Sequence, residues 1–407
     1  MVGTIQIDGP ATANYAKDLG VMPLTDWFHT PAGALISLLS KGLIRNAPIA
    51  DTILINGTDA KNGNGTGAYH RNTIEQGGTY RLRLINTGTF DNYKVGLDGH
   101  KMTVISSDFV PVTPFDVDWL FIGIGQRYDV IIKANQPISS YWFHVVPQAG
   151  CSANQVSNGV AIFTYKGANS TTPSNSTRNN APAPSCEDPN LDLVPWVPLN
   201  VPSNETIPAS SILDVGFAIV RNSSSQTQTL VQWTLNTKAM QAPWDKPTIE
   251  YVREGNTSYP PNMNLINLPG KNQWSFWVIQ ALPTTGTPPA QPHPMHLHGH
   301  DFYVLGAGTG NYSDATTLNY INPPRRDVAI LPANGYLVLA FVTDNPGAWL
   351  MHCHVAWHID LGLGAQFLER ASEITPLLNQ AEGWNTQCSK WDQYDDTAIY
   401  KEEGSGL

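Results

Sequence analysis

Seven of the eleven histidines in this chain fall between His293 and His358. They form two tight groups. The first is His293-Pro294-Met295-His296-Leu297-His298-Gly299-His300, and the second is His352-Cys353-His354 with His358 four residues on. A lone histidine is usually structural, but two such groups at the ends of strand-like runs point to metal binding. Side chains on a strand alternate faces. His296 and His298 therefore share one face, as do His352 and His354, and Cys353 points the other way. One strand thus serves two sites back to back. The first site takes Cys353 with His293 and His358. Two imidazoles and a thiolate suit a blue-copper electron-transfer centre, whose axial ligand is weak. The axial position falls on Leu363, which cannot ligate, so the copper is expected to be three-coordinate with a raised potential. The opposite face carries His296, His298, His352 and His354, enough for part of a multinuclear site. Zinc also accepts Cys and His, but its structural sites are closed sets of four. Ligands directed to opposite faces cannot share one tetrahedral ion.

The elements that carry these residues recur. Gly99-His100, then Val104-Ile105, is echoed by Gly299-His300, then Val304-Leu305. Tyr128–Ile132 leads through Pro137 to Tyr141-Trp142-Phe143-His144, and Tyr336–Ala340 leads through Pro346 to Trp349-Leu350-Met351-His352. Such self-similarity marks two copies of one domain. Each copy reads as β: Tyr80, Leu82 and Leu84 alternate with Arg81 and Arg83, the period of a half-buried strand. Short runs of this kind between Gly, Pro and Asn suggest a sandwich or barrel. His144 aligns with His352, but Val145 stands where the second copy has Cys353. The first copy is therefore expected to be colourless, with His100 and His144 structural. His29 and His70 stand alone and are read as ordinary.

Composition sets the limits. With 407 residues the chain is long enough for two or three domains. Its hydrophobic fraction of 41% supports sizeable cores, and only 14% of residues are charged, which argues against coiled coils. The net charge of −10 excludes a general nucleic-acid-binding role, which needs a basic footprint. No run approaches the roughly 20 apolar residues of a membrane span, and the start lacks the basic-plus-apolar pattern of a signal peptide. Against that stand eight Asn-x-Ser/Thr sequons, at Asn56, Asn64, Asn169, Asn175, Asn204, Asn222, Asn256 and Asn311. So many in a chain with few charges favour a secreted, glycosylated surface.

The first copy closes near Gly159–Gly167, and Val2–Gly9 has the same small-residue entry, alternation and final Gly. Residues 1–9 thus read as the terminal strand of a missing copy. Residues 10–166 form the copper-free domain and 167–200 a Ser/Thr/Pro-rich linker. Residues 201–375 form the metal-bearing domain, and 376–407 a more polar, helical tail.

The chain resembles the multicopper oxidases, specifically ascomycete-type fungal laccases. The motifs are His293–Phe302, Asn322–Asp327 (NPPRRD), Thr343–Trp349 (TDNPGAW) and His352–His358 (HCHVAWH). The resemblance implies an all-β chain of two cupredoxin-like Greek-key sandwich domains, the family's second and third, plus the last strand of a missing first. It assigns His293, Cys353 and His358 to a type 1 copper, His296 to a type 2 copper, and His298, His352 and His354 to type 3 coppers. Electrons would pass from Cys353 through His352 and His354. The implied reaction is one-electron oxidation of small phenols or related aromatics coupled to reduction of O2 to water, in a secreted protein that is monomeric at full length. The family's cluster takes eight histidines, four of them from its first domain; four are present here, so impaired activity is expected. The resemblance also pairs Cys151 with Cys186, leaves Cys388 without a partner, and puts Gly404 where the family's tail often has Asp. A substrate carboxylate is expected near Phe90-Asp91, with Asp91 the candidate. Two other readings remain open: a non-catalytic blue-copper protein, and a narrower phenol-coupling, ascorbate or metal-ion oxidase.

Overall fold

In a computed structural model, residues 3–44, 46–59, 67–148, 151, 158–173, 188, 193–203, 205–221, 229–281, 291–378 and 383–398 are described. They fall into two compact units. Unit 1 comprises Met1–His29, Ile49–Ser203 and Thr317–Ile330, and unit 2 comprises Thr30–Pro48, Asn204–Thr316 and Leu331–Leu407.

Unit 1 holds eleven described strands: β1 Lys17–Trp27, β2 Thr52–Ile55, β3 Arg71–Ile74, β4 Thr79–Asn86, β5 Tyr93–Leu97, β6 Met102–Ser107, β7 Val110–Val117, β8 Leu120–Ile122, β9 Arg127–Lys133, β10 Ser140–Pro147 and β11 Gly159–Tyr165. They build two sheets, ordered β2-β1-β4-β9-β6-β7 and β3-β11-β10-β5-β8. Apolar residues from both sheets, among them Leu82, Leu84, Val95, Val130, Phe143 and Phe163, form one buried cluster. This is the face-to-face packing of a sandwich, in which each strand contributes alternate residues inward.

The strands of unit 2 are β12 Ile212–Arg221, β13 Thr229–Leu235, β14 Leu265–Leu268, β15 Trp274–Gln280, β16 His293–Leu297 and β17 Phe302–Thr309. β18 Arg325–Arg326 and all but the last residue of β19 Val328–Leu331 fall in the Thr317–Ile330 segment of unit 1, and β20 Gly335–Val342, β21 Gly347–Cys353 and β22 Gly364–Glu369 complete unit 2. Unit 2 repeats the plan: β13-β12-β15-β20-β17 matches β2-β1-β4-β9-β6, and β14-β22-β21-β16 matches β3-β11-β10-β5. The recurrence read from the sequence is therefore a recurrence of topology. Helix Ala32–Ser40 (α1), from early in the chain, packs on β13 of unit 2, a placement no local pattern signals. Helices Thr248–Arg253 (α2), Ala356–Asp360 (α3), Ala371–Leu378 (α4) and Trp384–Asp395 (α5) follow, the last two where composition turns polar.

Two features depart from expectation. The polar face of β4 is not open to water: Arg81 and Arg83 are buried. Arg81 pairs with Asp129, while Arg83 donates to Asp18, to Asp8 and to the Ile7 carbonyl. Secondly, residues 3–9 form no strand; Ile5 and Ile7 stay 80% and 58% exposed. A strand needs a ladder for its backbone groups, and Arg83 is no substitute for a sheet edge.

The Asn322–Asp327 segment supplies unit 1 with a buried cation. Arg326 is fully buried and donates to Asp108 (2.9 Å), Asp188 (3.0 Å) and the Tyr128 hydroxyl (3.2 Å). Beside it Arg127 makes a two-pronged bond to Asp327.

Candidate metal centre

β16 and β21 run antiparallel with His296 opposite His352 and Met295 opposite Cys353. That register carries out the alternation argument. His293 and Cys353 fall on one side of the sheet and His296 and His352 on the other. His358 comes back from α3, directly after β21.

On the first side the three donors converge. His293 Nδ1 and His358 Nδ1 lie 3.2 Å apart, and Cys353 Sγ lies 3.6 Å from the former and 3.5 Å from the latter. All three residues are buried. Burial holds the His293 imidazole down to a pKa of about 4. His358 is also held well below the usual range, by burial and then by His293. Burial pushes the Cys353 thiol up. Two neutral imidazoles and a thiol that ionises only beside a cation are a ligand set awaiting a soft metal ion. Leu363 is buried next to them. Its N–H donates to the His358 carbonyl (2.9 Å) and its carbonyl accepts from the Cys353 N–H (3.1 Å). A closed zinc set would want a fourth donor there; an aliphatic side chain fits copper better.

The indole of Trp233 sits against both imidazoles, with ring centres 5.0 Å from His293 and 4.5 Å from His358. Sequence reasoning missed it, because Trp233 reads as one more aromatic in a strand.

On the second side, donor atoms of His296, His298 and His352 gather within 4.8 Å of one another. His298 Nε2 and His352 Nε2 are 3.1 Å apart. His352 Nδ1 faces the Cys353 carbonyl at 2.9 Å, which puts the proton on Nδ1 and leaves Nε2 to ligate. Burial, and then His354, hold His352 well below the usual histidine range. The His354 ring is on the same side, 5.6 Å from His296 and 5.7 Å from His352 between centres, but outside the tight set of three.

The remaining candidates separate. In unit 1, His144 Nε2 meets Asp98 at 2.8 Å, and His100 bridges the Asp98 carbonyl and the Tyr165 hydroxyl. Asp91 is fully buried, so its carboxylate does not open to a substrate in this structure. The reason is Asp26, which sequence reasoning passed over. Its carboxylate accepts from the amides of Thr89, Phe90 and Asp91 and folds that turn inward. Cys151 is buried with Phe121 and Ile330, and Cys186 lies outside the described residues. Cys388 lies on α5 and is in no disulfide among the described residues.

Two five- or six-stranded sheets per unit, repeated, with a buried His₂Cys set borne by interior strands β16 and β21 and by α3, are the architecture of a cupredoxin-fold protein with a candidate copper site. The comparisons place it further. Family models described as multicopper oxidase match residues 18–168 and 223–373. Laccase-3 of Botryotinia fuckeliana is 48% identical over 376 residues, covering 90% of this chain and 81% of that protein. Laccase-1 of Melanocarpus albomyces is 40% identical over 426 residues, covering 100% and 66%. The crystal structure of the laccase from Botrytis aclada superposes with a TM-score of 0.85 at 34% identity, covering 98% of this chain and 72% of that one. The chain belongs to the multicopper oxidase family and is laccase-like within it, a family of copper oxidoreductases. It spans from about two thirds to four fifths of these relatives' lengths.

Proposed function

We propose that this chain is the electron-accepting and half of the oxygen-reducing portion of a laccase-like oxidase acting on phenols or related aromatics. The observation that carries the reading is the back-to-back site. Cys353 faces His293 and His358, while the next residue toward the N-terminus, His352, faces His296 and His298. Copper, when bound, supplies a one-electron acceptor on the first side and oxygen-reducing chemistry on the second. The chain contributes the path between them: the Cys353 side chain, its backbone, and the backbone and side chains of His352 and His354. A phenol releases electrons singly and O2 takes four to become two waters, so separate collecting and reducing sites are required. Trp233 excludes water from one flank of the collecting imidazoles. His293, Cys353 and His358 are the proposed type 1 ligands beside non-ligating Leu363. His296 is proposed for type 2, and His298, His352 and His354 for type 3.

The sequons support an extracellular protein. Asn56, Asn169 and Asn311 are exposed and Asn256 is half-buried, while Asn64, Asn175, Asn204 and Asn222 lie outside the described residues. No helix among the described residues is long and apolar enough to cross a membrane. The experiment is copper loading followed by absorption and electron paramagnetic resonance spectroscopy, with O2 uptake on a simple phenol. A blue thiolate-to-copper band and a second, colourless Cu(II) are expected. A colourless Cu-loaded protein would overturn the reading.

A further inference from the structure

Helix α1 carries more apolar surface than the described residues bury. Its sequence, Ala32-Gly33-Ala34-Leu35-Ile36-Ser37-Leu38-Leu39-Ser40, contains no charged residue. At helical spacing Leu35 and Leu39 share one face, with Ile36 and Leu38 on its two flanks and Ser37 and Ser40 opposite. An apolar arc of that width normally faces a core. Here Leu39 is buried, but Leu35, Ile36 and Leu38 are only half-buried, and Leu43, just past the helix, is 55% exposed. The chain closes on itself there: the Leu43 and Ile44 N–H groups both donate to the Leu38 carbonyl, at 2.9 and 3.3 Å. That turn holds Leu43 beside the last turn of the helix.

The position of the helix gives this surface a use. Within unit 2, α1 packs on β13 and on α3. β13 carries Trp233 and α3 carries His358, and those two rings meet at 4.5 Å between centres. Trp233 is itself half-buried. The apolar side chains of α1 are thus continuous, through the two elements they pack on, with the imidazole end of the His293–Cys353–His358 set. We propose that Leu35, Ile36, Leu38 and Leu43 are a binding wall for the apolar substituent of the reducing substrate. This chain then takes neutral phenols bearing an alkyl chain or a second ring in preference to small or charged ones. The proposal rests on reading that ligand set as the electron-accepting centre. The helix offers no charge to hold a carboxylate or an ammonium group. Its branched aliphatic side chains reward buried area and set no direction. Fully burying a methylene raises affinity roughly fourfold, and covering half of it about twofold.

The test uses the full 407-residue chain and the series para-methyl-, para-propyl- and para-pentylphenol. Affinity for the metal-free chain is measured by equilibrium dialysis. In the copper-loaded chain without O2, the rate at which each phenol bleaches the blue band is measured, as the phenol passes one electron to Cu(II) and its hydroxyl proton to water. The variants are an Ile36→Gln, Leu43→Gln pair, the same pair changed to Met, and Leu377→Gln on α4, where the leucine is 57% exposed. The expected parent affinity rises about 2–4-fold per added methylene, and the bleaching rates follow that order. The Gln pair should lose most of this slope and leave para-methylphenol nearly unchanged, while the Met pair and Leu377→Gln keep it. A flat series in the parent, a slope unchanged in the Gln pair, or an equal loss in Leu377→Gln would overturn the proposal. So would a dimer, seen in sedimentation, that the Gln pair dissociates, because a second copy would then cover α1. If the copper-loaded chain is not blue, or no phenol bleaches it, the electron-accepting reading fails, and the affinity slope of the metal-free chain alone decides whether α1 binds the substituent.

Discussion

Cys353 is the residue on which most depends, because its thiol is buried and burial opposes ionisation. A cation at the His293–Cys353–His358 set removes that opposition. Replacing Cys353 with Ser should abolish the blue absorption of the Cu-loaded chain, and a persistent band would show that the thiolate is elsewhere. Leu363→Met offers a thioether beside the same set; a donor that stabilises Cu(II) should lower the potential, measured by redox titration of the blue band. The imidazoles make a pH statement. His293 is held to about 4 when folded, below its unfolded value of about 6.5. The unfolded chain therefore binds the proton first as pH falls. In the metal-free chain this group's contribution should erode from about pH 6.5 and level off below about 4. Urea midpoints across that range, with a His293→Gln control, check it; a midpoint that rises on acidification would contradict the burial.

At the scale of elements, the register of β16 on β21 decides which histidines meet. A one-residue slip would send every ligand to the wrong side. The short Leu361–Leu363 connection locks the end of that arrangement. Gly362 has φ +107°, and a Cβ there would lie 2.7 Å from the Ala239 Cβ and 2.9 Å from the Trp233 carbonyl. Gly362→Ala should therefore cost about 1–3 kcal/mol and shift the blue band, since Leu363 and Trp233 both border the site; thermal unfolding and the absorption spectrum measure the two effects. In unit 1, Arg326 bridges the buried carboxylates of Asp108 and Asp188. Arg326→Ala removes that shared cation, leaving Asp108 the Arg127 N–H and Asp188 the Gln126 amide, and should destabilise by about 3–5 kcal/mol, read as a lowered denaturant midpoint. A change within 1 kcal/mol would mean that water replaces the guanidinium there.

For the molecule as a whole, the proposed reading turns on how many histidines the second face can supply. The second face offers four histidines, and the resemblance calls for eight. The 407-residue chain alone, with copper supplied, should consume O2 with a phenol slowly or not at all. A protein that brings four further histidine donors to that face should consume about one O2 per four one-electron oxidations. Rapid turnover by the chain alone would show that its own residues or a second copy complete the cluster.

What the sequence determined by itself was local or periodic. Strand alternation separated His293 and Cys353 from His296, His298 and His352, because a period of two needs no knowledge of the fold. The paired recurrence around His144 and His352 likewise announced two sandwiches of one plan. Tertiary structure decided whatever depends on contacts distant in sequence. Trp233 reaches the His293 and His358 imidazoles from 60 or more residues away, and Glu369 comes within 2.9 Å of His300 across a similar gap. Asp26 turns Asp91 inward, and Arg83 is covered by Asp18 and residues 7–8 instead of facing water. None of these carries a sequence signal, because a buried polar residue is defined by the partner that satisfies it, and that partner is chosen by how the sheets close.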